Sequence, residues 1–163
     1  MTRRARLLAS LAAILVAGGV AAVLVLAFGN SSSQAAPTKA VYFRRVAKIC
    51  GVYGPKLDQV TPPQDVTIPG EVVTSLSRAI PIIEAETKAV RALALPHELA
   101  GKIRNWLALK DRTLAALKDA LHQAEEPNIA GTAAAYIHFE QLARQTSRAG
   151  HEVGFPSICS SAS

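Results

Sequence analysis

A chain of 163 residues, half of them hydrophobic, with 18 basic and 12 acidic residues and a net charge of +6, has room for one domain. The charge suggests nucleic acid until it is divided along the chain. Arg3, Arg4 and Arg6 precede the first apolar run, leaving 15 basic residues interspersed among the 12 acidic ones, as on solvated helix faces. No basic stripe with interleaved stacking aromatics occurs, so nucleic acid is excluded as a partner.

Residues 1–28 read as an Arg-rich cytoplasmic start and a transmembrane anchor. Leu7 to Phe28 is an uncharged run of 22 residues, interrupted only by Ser10, Gly18 and Gly19. As a helix it is long enough for a hydrocarbon core of roughly 30 Å, whereas the apolar region of a secretory signal spans about 7–15 residues. With three arginines before the run and no charge from Gly29 to Ala36, the positive-inside rule holds the N-terminus in the cytoplasm and exports the rest. The expected localisation is a single-pass protein of the cell membrane with its C-terminal domain outside. Ser33 and Ala35 leave a competing reading open, cleavage after Ala35. Residues 29–37 form a flexible Ser/Ala linker.

Residues 38–163 show apolar spacings of three and four, the mark of amphipathic helices. Thr38 is the expected N-cap of the first, with Tyr42, Val46, Ile49, Tyr53, Leu57 and Val60 on its stripe. Gly54-Pro55 should kink or split it, and Thr61-Pro62-Pro63 should end it. A loop over residues 62–69 leads to a second helix with Val73, Leu76, Ile80, Ile83, Thr87, Val90 and Ala94 on one face and a bend at Pro81. Leu95-Pro96 opens the third, whose stripe of Leu99, Ile103, Trp106, Leu107, Leu114, Leu117 and Leu121 is the most regular. After Glu126-Pro127-Asn128 comes a fourth, with Thr132, Ala135, Phe139, Leu142, Thr146, Ala149 and Val153, stopped by Gly154 and Pro156. The fold class is therefore all-α: an N-terminal transmembrane helix followed by an antiparallel four-helix bundle with proline-kinked helices.

Catalytic chemistry is hard to find in this pattern. His97, His122, His138 and His151 share no spacing of three or four, so no helix presents a metal-binding pair. Asp119-Ala120-Leu121-His122 stands alone, and His138-Phe139-Glu140 lacks the P-C-x-x-C that zinc deaminases require. There is no G-x-S-x-G elbow, and Glu84 and Glu86, two apart, point to different faces. No catalytic residue, metal ligand or cofactor follows from the sequence. Two features stand out. Lys110 falls on the apolar third stripe beside Trp106: either its stem covers apolar surface with the amine in water, or the amine lines a groove. Pro55 and Pro81 either curve helices around a core or splay them around a pocket for an apolar ligand.

Cys50 and Cys159, the two cysteines, lie 109 positions apart. In an exported domain they read as a structural disulfide, against a metal or redox pair that would normally be close in sequence. Arg44 to Cys50, Pro62-Pro63, Pro81 and Gly154-Phe155-Pro156-Ser157-Ile158-Cys159 together resemble small, uncharacterised, single-span bacterial envelope proteins. In those proteins a first-helix cysteine matches a C-terminal one. The resemblance implies a disulfide-closed helical ectodomain and leaves the function open. The reading favours a non-enzymatic, membrane-tethered module that binds an envelope protein, with a carrier or sensor of an apolar small molecule as the alternative.

Overall fold

Thr38 opens the first helix: its Oγ1 accepts a hydrogen bond from the Val41 amide at 3.4 Å, satisfying a donor the first turn would leave orphaned. In the computed structural model, which describes residues 36–126 and 128–155, four helices follow in order. They are α1 (Lys39–Leu57), α2 (Pro69–Arg91), α3 (Ala100–Glu125, preceded by a 3-10 turn, His97–Leu99) and α4 (Ile129–Val153). Pro69 begins α2, where its missing N–H costs nothing. The Asn128 side chain caps α4 by accepting from the Gly131 amide at 2.9 Å. Gly154 ends α4 in the left-handed region at φ 91°, letting its own amide and that of Phe155 reach back to the Gly150 carbonyl.

Neither proline splits its helix. Pro55 falls in the last turn of α1, close to the natural end, and the Asp58 amide still bonds the Gly54 carbonyl at 2.9 Å. Pro81 lies inside α2 on its solvent side. The first helix stops at Leu57, so Val60 lies in the turn beyond it rather than on the helix. Its buried face is Tyr42, Val46 and Cys50. On α2 the face is rotated from the expected one: Val72, Leu76, Ile80, Thr87 and Val90 are buried, Val73 and Ile83 only partly, and Glu86 turns inward.

Two side-chain clusters fill the bundle, one at each end. Tyr42, Val46, Val90, Ile103, Trp106 and Phe155 belong to the first, which collects all four helices. Because α1 and α3 begin there while α2 and α4 finish there, neighbouring helices run antiparallel. Val72, Leu76, Ile80, Leu117, Ala120 and Ala135 belong to the second, which contains no residue of α1. Helix α3 packs extensively on α4 and on α2, whereas α1 lies chiefly along α2. These helices belong to a compact unit that begins at Ala36.

The membrane expectation requires correction. The run Leu7–Phe28 lies outside the described residues, and among the described residues no helix is long and apolar enough to cross a membrane. Length is not the obstacle, since α2 to α4 have 23 to 26 residues. Their exposed faces are: Lys102, Arg104, Asp111, Arg112 and Lys118 on α3 alone would all meet lipid. The transmembrane part of the fold class, the one-span integral association and the single-pass localisation are withdrawn with it. The disulfide is not a feature of the described structure either. Cys159 lies outside it, and Cys50, the one described cysteine, is buried and not a free thiol.

Candidate functional site

Lys110 sits on the inner face of α3, seven positions from Ile103 and from Leu117, so the regular stripe carries it into the core and leaves it 6% exposed. A buried ammonium needs a partner, and α2 supplies one: Lys110 Nζ donates to Glu86 Oε2 at 3.2 Å, with both side chains about equally buried. The amine also lies 5.5 Å from the centre of the Trp106 ring, one helical turn earlier. Trp106 in turn packs edge-on against Phe155, ring centres 4.7 Å apart. One turn further along α3, Thr113 Oγ1 meets Thr146 Oγ1 of α4 at 2.9 Å and donates to the Leu109 carbonyl at 2.9 Å.

These groups border a cavity of about 350 Å³, partly open to solvent, between the two core clusters. Trp106, Lys110, Thr113 and Leu117 form its floor on α3. Ser75, Leu76, Ala79 and Ile83 line it from α2, and Tyr136, Phe139, Ala143, Thr146 and Ser147 from α4. Leu57, Asp58, Val60 and Pro62, at the end of α1 and just beyond, close over it from the remaining side. The cavity lies where the four-helix end gives way to three helices: α1 stops at Leu57, and a loop rather than a further helical turn covers this side. That loop is fastened to α2 by Glu71, whose Oε2 accepts the Gln64 and Asp65 amides at 2.8 and 3.2 Å.

The antiparallel pairings give the cavity a direction. Lys110 with Glu86, and Thr113 with Thr146, mark one end as polar. Towards the other end α3 contributes Leu117, α2 contributes Leu76, Ala79 and Ile83, and α4 contributes Phe139 and Ala143. Tyr136, half-buried at that end, has its phenol pushed up by burial and by the nearby charge of Glu140. Glu86 stands behind Lys110 and does not itself line the cavity, so the charge the cavity meets at this end is an ammonium. Asp58 at the rim is exposed.

Of the residues singled out in the sequence, Trp106 and Lys110 come together here, and Trp106 is at once a core residue and part of the cavity wall. The four histidines do not converge: each is exposed, and among the described residues no three His, Cys, Asp or Glu side chains could hold a metal ion. Glu84 remains near the surface in an ion pair with Lys118. Sequence reasoning put Thr146 on the α4 stripe and set Glu86 apart from Glu84 without giving either a place in a site, and it passed over Thr113. The signal for Glu86 was present, since it lies seven positions from Ala79 and fourteen from Val72, on the face α2 turns inward.

No protein-family model, curated protein or solved structure matches the chain, which leaves the resemblance to bacterial envelope proteins without a relative to compare.

Proposed function

We propose that the described domain is a non-enzymatic binding module for an apolar small molecule held between its helices. The observation that supports this is the partly open cavity of about 350 Å³, lined from all four helices and mostly by apolar side chains, with its one ammonium, Lys110, and the Thr113–Thr146 pair towards one end. Small-molecule sites have that composition, and this volume lies at the small end of their usual range of roughly 300–1,000 Å³. The exposed large hydrophobics, by contrast, are few and spread: Val52 on α1, Ile68 just before α2, and Ile129 and Ile137 two turns apart on α4. Single exposed apolar residues are normal on any surface and do not favour a protein-docking face.

Trp106, the one tryptophan of the chain, lines the cavity and serves as an internal reporter. The full chain should bind N-phenyl-1-naphthylamine, a neutral apolar fluorophore, saturably and with energy transfer from Trp106. Ala143→Phe, which places a ring in the cavity, should abolish both signals while leaving the helical circular dichroism unchanged. Absence of saturable binding, or binding that ignores Ala143→Phe, would refute the reading.

A further inference from the structure

We infer that the cavity's ligand is an anionic amphiphile: a chain carrying one carboxylate-type head, the head taken by Lys110 and the chain laid along α3 towards Leu117. The inference rests on the small-molecule reading above and adds the ligand's chemical class and orientation. Three observations converge on it. Lys110 is nine-tenths buried and carries three N–H donors, of which the structure shows one committed, to Glu86. Lys110 lines the cavity and its partner Glu86 does not, so an entering head meets the cation before the anion. The polar groups that could share a head with it, Thr113 and Thr146, lie one turn along the same floor.

Charge decides which head fits. A carboxylate would take an ammonium proton in a charge-assisted hydrogen bond inside an apolar wall, where such a bond is strongest. An alcohol head would gain only a neutral bond, and an amine head would be set against Lys110 with Glu86 out of reach. Asp58 opposes an anion, but it is exposed at the rim, where water and salt screen it. Shape decides the remainder. From Trp106 to Leu117 the floor runs about three helical turns, about 16 Å of axis. With about 350 Å³ available, that suits one short or medium chain and excludes a two-chain lipid.

The test compares heads on a constant chain: decanoate, decan-1-ol and decylamine, each below its self-association concentration, titrated into the full chain with Trp106 emission and calorimetry as readouts. Decanoate should bind at least about tenfold more tightly than the alcohol, the ratio one charged hydrogen bond provides, and the amine most weakly. Glu86→Gln, which removes the competing carboxylate, should tighten decanoate and leave decan-1-ol unchanged. Lys110→Met with Glu86→Leu, which replaces the pair by apolar groups, should weaken decanoate much more than decan-1-ol and bring the decanoate preference to about one. The inference is overturned if decan-1-ol or decylamine equals decanoate in the unaltered chain, or if the preference survives in the double variant. If the neutral fluorophore and all three decyl compounds leave Trp106 unmoved, the small-molecule reading falls and takes this inference with it.

Discussion

The two ends of the bundle solve the same packing problem with different side chains. At the end where α1 begins, four helices meet around large rings. Tyr42, Phe43, Trp106 and Phe155 pack against one another with ring centres 4.7 to 6.3 Å apart. At the other end three helices meet around Ala120, Ala124, Ala135, Val72 and Leu117. Small residues let α2, α3 and α4 approach closely enough to fill their own core without a fourth helix. Where one solution passes into the other, neither cluster fills the space, and the cavity lies there. The lesson is that a gap in a bundle need not come from a poor core. It can mark the seam between two sound ones.

The aromatic end should be the more sensitive to truncation. Trp106→Ala removes a residue that is 3% exposed and should cost about 3–5 kcal/mol, read as a sharp fall in the urea midpoint. If stability holds, the rings at that end do not form the core described. The seam tests a different quantity. Lys110→Met alone strands Glu86 as a buried charge and should also cost about 3–5 kcal/mol, whereas Lys110→Met with Glu86→Leu should be neutral or more stable than the original. Equal loss in both variants would mean that the pair, and not merely its completeness, holds the helices together.

The same added side chain should separate the close-packed end from the seam. Ala120→Leu meets a fully buried, filled position and should cost roughly 1–3 kcal/mol. Ala143→Leu projects into the cavity and should cost little, while weakening fluorophore binding. Similar losses at both positions would show that the cavity closes in solution. The smallest effect at neutral pH belongs to Tyr42, whose hydroxyl is buried without a hydrogen-bond partner among the described residues. Burial pushes its phenol up to about 12 from the usual 10. The folded state therefore holds that proton more tightly than the unfolded chain, so its contribution is complete below pH 10. It declines as pH rises from about 10 to about 12, by at most about 3 kcal/mol. Tyr42→Phe should remove that slope and leave neutral stability equal or slightly higher. An unchanged alkaline denaturation profile would show that the phenol reaches water.

The local rules were written plainly enough in the residues to place the helices. Thr38, Pro69, Asn128 and Gly154 each act on backbone within a few positions, and an apolar period of three to four shows in any short window. That is why Tyr42, Val46, Ile103, Leu117 and Leu142 are buried where their stripes put them. Lys110 and Trp106 could be picked out for the same reason, one as a charge on an apolar stripe and the other as the largest side chain on it. The 22-residue apolar run was equally legible as composition, but composition does not describe a helix, and no described helix can span a membrane.

What tertiary structure decided was everything that depends on which helix faces which. An amphipathic period gives each helix a buried face to within a residue or two. Rotating α2 by one position exchanges Val73 for Val72 and brings Glu86 inward. Packing against α1 and α3 chooses between those rotations. The Lys110–Glu86 pair, the Thr113–Thr146 contact across α3 and α4, and the cavity left where α1 stops at Leu57 join residues 20 to 35 or more positions apart. No local preference encodes such a meeting, since each half is stable on its helix whether or not the other arrives.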